Sequence, residues 1–114
     1  MTRAGRSGDK AGAERMMQML RHIVFFTAKS EAELEAIETG LKALATIPHS
    51  EKFEVARNEK LDLFGNEIDI VVYAEFADAA ALKAYKAHPT YAETTAKVRP
   101  LRELRFAADV VVEG

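Results

Sequence analysis

The sequence predicts an α+β fold, a four-stranded antiparallel sheet with its helices on one face. Three observations lead there. Some segments carry apolar residues at helical spacing, others alternate or stay apolar over strand lengths, and the chain order is strand, helix, strand, strand, helix, strand. The 114 residues are 48% hydrophobic and 30% charged, the balance of one compact domain, and they leave too little chain for two.

From Leu20 to Ala28 the chain is rich in Ile, Val, Phe and Thr. Both alternating sets, His22, Val24, Phe26 and Ile23, Phe25, Thr27, are largely apolar, so this is a strand buried on two sides. Ser30 then precedes Glu33 by three, the spacing of a capping box. Leu34, Ile37, Leu41 and Leu44 follow on one helical stripe that stops before Pro48. The first helix is thus expected from Glu31 to Thr46. Phe53, Val55 and Arg57 alternate with Glu54, Ala56 and Asn58, and after a polar loop holding Gly65 and Asn66, Ile68 to Phe76 alternates again. These are two strands, expected to be antiparallel. Asp78 caps a second helix of alanines with Leu82 and Tyr85 on one side, and His88-Pro89 ends it, because a residue before proline disfavours helical dihedrals. Tyr91, Thr94 or Thr95, Val98 and Leu101 form an extra short helix interrupted at Pro100. Leu104 to Val112 is the last strand, with Leu104, Phe106, Ala108, Val110 and Val112 on one face. The order βαββαβ is that of the ferredoxin-like fold.

That fold leaves one sheet face without helices. Ile23, Phe25, Val71 and Tyr73 fall there and are too apolar for water. Two sheets packed face to face across a two-fold axis cover both, so burial alone predicts a homodimer.

Composition removes several functions. Sixteen basic against 18 acidic side chains give a net charge of -2, which supplies no general attraction to nucleic acid or to an anionic membrane. The longest apolar run, Ile70 to Ala74, is far short of the roughly twenty residues of a membrane span. Without cysteine there is no disulfide scaffold, thiolate metal site or cysteine nucleophile, and a cytoplasmic protein is expected. There is no glycine-rich phosphate loop, no HExxH and no Gly-x-Ser-x-Gly elbow, so no metal and no cofactor is expected. Residues 1–18 hold three of the six glycines and differ in character from the rest. They read as an extension, flexible or a short helix, with Met16, Met17 and Met19 as alternative starts and the domain proper at 19–114.

The strand Arg21-His22-Ile23-Val24-Phe25-Phe26, the block Ile70 to Asp78, the run Ala81 to Pro89 ending in Ala-Tyr-Lys-Ala-His-Pro, and Val98-Arg99-Pro100-Leu101 occur in an order and spacing that resemble the stress responsive A/B barrel domain (Dabb) proteins. The resemblance covers about residues 19–113. It implies a dimeric α+β barrel of ferredoxin-like protomers, mostly described as stress-related, with a pocket between sheet and helices. Plant members similar to this fold are cofactor-free polyketide cyclases that close a ring by aldol condensation. In those cyclases a Tyr-His pair moves the protons, and its histidine follows the His-Pro by two residues. Tyr85 matches the tyrosine and His22 the first-strand histidine, but the second histidine is replaced by Tyr91, which removes a general base that titrates near neutrality.

The candidate catalytic residues are therefore His22, Tyr85, His88 and Tyr91, with Val24, Phe26, Leu41 and Phe106 lining the ligand pocket. Each has a plainer alternative. His22 as a core histidine satisfies itself internally, His88 ends a helix with its ring bonded to backbone, and Tyr85 fills the core with its hydroxyl at the rim. Asp69 and Glu75 share a strand parity with Tyr73, either entering a cavity or pairing with Arg57 or Arg105. Arg99 and Arg102 beside Pro100 either receive an anion or lie in solvent, and His49 sits in a loop. Two functions follow: a small dimeric protein that binds a small organic ligand, or a cofactor-independent cyclase, isomerase or lyase acting on a carbonyl substrate. A third role, assembly itself, makes the dimer the function.

Overall fold

β1 (Leu20–Ala28) occupies the interior of the sheet, as its two apolar faces require. In the computed structural model, which describes residues 19–112, it pairs antiparallel with β3 (Ile70–Phe76) on one side and β4 (Arg102–Val111) on the other. β2 (Lys52–Arg57) completes the order β2-β3-β1-β4 by pairing antiparallel with β3. This is the ferredoxin-like arrangement. The expected extension over residues 1–18 lies outside the described residues.

The helices follow the predicted stripes. α1 (Leu34–Lys42) is flanked by 3-10 turns at Glu31–Glu33 and Ala43–Thr46, so the helical region spans the expected Glu31 to Thr46. The capping box does not form: the Glu33 N–H donates to the Ser30 backbone carbonyl at 3.0 Å and the Ser30 hydroxyl makes no cap bond. The 3-10 turn has already satisfied the donor that the hydroxyl would have taken. α2 (Ala79–Ala87) starts as predicted, with Asp78 Oδ1 accepting from Ala81 N–H at 2.9 Å. His88 ends α2 and begins α3 (Pro89–Val98), its Nδ1 accepting from Thr90 N–H at 3.1 Å while Pro89 fills the first helical position.

All three helices lie on one face. Ile37, Leu41 and Leu44 from the first helical region, Tyr85 from α2 and Val98 from α3 share one buried cluster with Val24, Phe26, Val72, Ala74 and Phe76 of the sheet. Gly40 lets α1 approach α3, since a Cβ there would lie 3.2 Å from a Val98 methyl.

Asp69 and Glu75 take partners other than Arg57 or Arg105. Asp69 accepts from Lys60 Nζ at 2.8 Å and from Ala28 N–H at 2.9 Å. Burial opposes its charge, but these two donors outweigh it and hold the carboxyl below the usual range. Glu75 accepts from the Tyr73 hydroxyl at 2.6 Å, and Arg57 instead donates to Glu38 of α1 at 2.9 Å. Both carboxylates thus serve structure.

β4 departs from its predicted facing. Antiparallel partners share a face, and Phe106 stands opposite Phe25, Leu104 opposite Thr27 and Ala108 opposite Ile23. The apolar set of β4 therefore lies on the helix-free face, where Leu104 is 49% and Phe106 54% exposed. The inner face of β4 is made by Arg105, Ala107, Asp109 and Val111, opposite Phe26, Val24, His22 and Leu20. At its start the register shifts between Thr27 and Ala28, so that Ala28 pairs with Arg102 and Glu103 is skipped. This bulge brings Arg102 to the same side as Arg105, three residues on, where regular alternation would separate them.

Candidate functional site

Between the inner face of β1 and β4 and the helices α1 to α3 lies a cavity of about 260 Å³. Its walls are apolar: Val24, Phe26 and Val72 from the sheet, Leu41 and Leu44 from the first helical region, and Val98 from α3. They are apolar because the inner parity of the central strands and the helical stripes were both selected for burial. Polar groups enter at four places, which are His22, the Tyr85–Tyr91 pair, Thr94 and Thr95 of α3, and a basic rim of Lys86, Arg99, Arg102 and Arg105.

His22 is held by a residue that the sequence reading missed. Its Nδ1 bonds the Asp109 carboxylate directly across the β1–β4 ladder, where the two are register partners. The His22 side chain is buried, while the Asp109 carboxylate keeps 40% of its surface in solvent. Burial lowers the His22 pKa below its ordinary 6.5, against the opposing pull of Asp109, with Lys86 and Arg105 adding to the lowering. The ring is therefore neutral at pH 7, Nδ1–H donates to Asp109, and Nε2 is left as the free base.

Stability follows from that shift. The folded protein binds fewer protons at His22 than the unfolded chain does, so the contribution is complete above about pH 6.5 and is lost as the pH falls through the lowered value. The urea midpoint of the wild-type protein is expected to drop over that window. His22→Gln should flatten the drop, and an unchanged profile would refute this assignment.

Tyr85 is 1% exposed and forms the aromatic floor, with its ring centroid 5.0 Å from Phe76, 5.3 Å from Tyr91 and 6.4 Å from His22. Burial raises its pKa strongly, so the phenol stays protonated and keeps its O–H available as a donor. Among the described residues no polar side-chain atom sealed from solvent lacks a partner. The Tyr85 hydroxyl, to which no neighbour hydrogen-bonds, therefore reaches the cavity.

The predicted residues thus divide. His22, Tyr85, Tyr91, Val24, Phe26 and Leu41 all line one cavity. His88 does not, because its Nδ1 is committed to the start of α3 and its ring lies 6.4 Å from that of His49. Phe106 does not, because its register partner Phe25 places it on the opposite face of the sheet. Asp109 and Arg105 join the site by register alone. Among the described residues no group of three or more His, Asp or Glu side chains is placed to hold a metal ion, and no helix is long and apolar enough to cross a membrane.

Known proteins share this frame. A Dabb family protein with a ferredoxin-like fold from Mesorhizobium loti is 27% identical, with a TM-score of 0.71 over 85% of this chain and 99% of its own. Dimeric ferredoxin-like proteins of unknown function from Jannaschia sp. (22% identity, TM-score 0.73, 82% of this chain and 99% of that one) and Thermobifida fusca (23%, 0.70, 83% and 92%) share the fold. No curated protein matches. The stress responsive A/B barrel domain matches residues 20–112, from the first residue of β1 to just past the end of β4. With the strand order, the His-Pro helix junction and the Val-Arg-Pro-Leu entry into β4 all in place, the chain belongs to the Dabb family.

Proposed function

We propose that this protein is a cytoplasmic homodimer that binds a small organic molecule in each protomer, in the cavity between sheet and helices. The observation that carries the reading is the cavity itself: an apolar chamber of about 260 Å³ with a neutral imidazole and an unpartnered phenol at its base. Ligand sites of this kind combine apolar walls with a few convergent polar groups. Dimerisation through the helix-free sheet face is supported by the apolar set Ile23, Phe25, Val71, Leu104 and Phe106 on that face. The dimeric relatives from Jannaschia and Thermobifida point the same way. A crystal structure of protein purified without added ligand tests the reading. Ordered organic density within hydrogen-bond reach of His22 Nε2 or Tyr85 Oη is expected, and an interior closed by side chains overturns it.

One observation favours a second reading, cofactor-independent catalysis on a carbonyl substrate by a cyclase, isomerase or lyase. The Asp109 carboxylate fixes the His22 tautomer that has Nε2 unprotonated. Tyr85, held as a phenol, supplies the complementary acid. A base that removes a proton next to a carbonyl, with a donor to the carbonyl oxygen, is the minimum apparatus for an enolisation. His22 takes here the role that the plant cyclases give to the histidine replaced by Tyr91. Under this reading His22→Gln lowers turnover of a carbonyl substrate by about 10²–10⁴-fold, and unchanged turnover removes it.

A further inference from the structure

Four formal cations line one small cavity: Lys86 from α2, Arg99 at the end of α3, and Arg102 and Arg105 on the inner face of β4. None of the four takes part in a salt bridge among the described residues, whose ion pairs are made by His22, Lys42, Lys52, Arg57 and Lys60. Among the described residues no carboxylate lines the cavity with them, and Asp109, across the ladder from His22, is bonded to His22. Partial burial lowers the pKa of Arg102, and the like charges of Arg105 and Arg99 lower it further against a smaller opposing pull from Tyr91. Arg105 also stands close enough to act on both His22 and Tyr85.

The bulge in β4 makes the convergence possible. Arg102 and Arg105 are three apart, and a regular strand would point them to opposite faces. The skipped Glu103 turns both toward the cavity and leaves the acidic side chain outside. Uncompensated guanidinium groups over a low-dielectric chamber focus a positive potential into it. Their planar, forked donors match a carboxylate better than a lysine does.

We propose that the ligand of this cavity is a small organic acid, with its apolar body against Val24, Phe26 and Val98 and its carboxylate on Arg102 and Arg105. The proposal rests on the ligand-pocket reading and names the ligand class. At about 260 Å³ the chamber is at the small end of ligand sites, which selects a compact, single-ring or short-chain acid over a long lipid. The acid group sits at the rim while the body reaches His22 and Tyr85. If the site is catalytic, the arginines orient the substrate without entering the proton transfers.

Amide-proton NMR titrations of the full chain with benzoate, benzamide and inorganic phosphate test it. Benzoate is expected to give saturable shifts at Tyr85, Tyr91 and Val98, with an affinity at least tenfold above that of benzamide and weakening as salt is raised. The double variant Arg102→Gln/Arg105→Gln should lose that tenfold preference and keep the benzamide affinity. The ratio of benzoate to benzamide in the wild-type protein and its salt dependence need no variant, so a folding defect in the double variant does not decide the matter. Equal affinities for benzoate and benzamide would overturn the acid class and leave the pocket reading standing. Phosphate binding as tightly as benzoate would show a general anion site and also overturn it. An absence of pocket shifts with both aromatic probes would overturn the pocket reading together with this one.

Discussion

In light scattering at micromolar concentration the wild-type protein is expected to run as a dimer and a Phe106→Glu chain as a monomer. Phe106 is 54% exposed in the single protomer and faces away from the core, opposite Phe25 on the helix-free side of the sheet. Its ring contributes little to the fold of one protomer. In a two-fold interface every substitution occurs twice, and a carboxylate then faces an apolar partner surface from both sides. Aromatic anchors near the centre of an interface cost about 2–4 kcal/mol when lost. Two copies raise the dissociation constant by at least about 10³-fold. Circular dichroism of the variant should still report the native mixture of helix and strand. A variant that remains dimeric would place the interface elsewhere and return the open sheet face to solvent.

Replacing Tyr85 should separate packing from chemistry. Tyr85→Ala removes a ring that touches Phe76, Tyr91 and His22 from a position 1% exposed, and the cavity left behind should cost about 3–5 kcal/mol, a large part of the roughly 5–15 kcal/mol that stabilises a typical domain. Tyr85→Phe keeps the ring and deletes a hydroxyl to which no neighbour hydrogen-bonds, so its cost should stay within about 1 kcal/mol. Urea midpoints at one fixed protein concentration measure both, because the proposed dimer would contribute to the apparent stability. Equal losses in the two variants would mean that the hydroxyl supports the fold and does not serve the cavity.

Most of the architecture could be read from local pattern. The double-faced apolar strand at Leu20–Ala28, the stripe from Leu34 to Leu44 and the Asp78 cap are signals that neighbouring residues carry by themselves, and they hold in the structure. The site was half legible. His22 stood out as the one imidazole on an apolar strand face, and Tyr85 as the aromatic residue on a helical stripe. Of the two readings the sequence offered for His88, the structure shows the plainer one, a ring nitrogen that accepts from the Thr90 N–H at a helix junction.

What the sequence determined by itself is the set of elements, their order and the alternation within each strand, since those depend on spacings of two and of three to four residues. Which parity of β4 faces the helices was decided by tertiary structure alone. The more apolar parity, with Leu104 and Phe106, faces out, and the charged one, with Arg105 and Asp109, faces in. Alternation shows that a strand has two unlike faces but cannot say which one the protomer turns to its own helices. The His22–Asp109 pair and the convergence of Arg102 with Arg105 depend on that register and on one skipped residue. Both are long-range facts, set by how β4 lies against β1, and no local spacing encodes them.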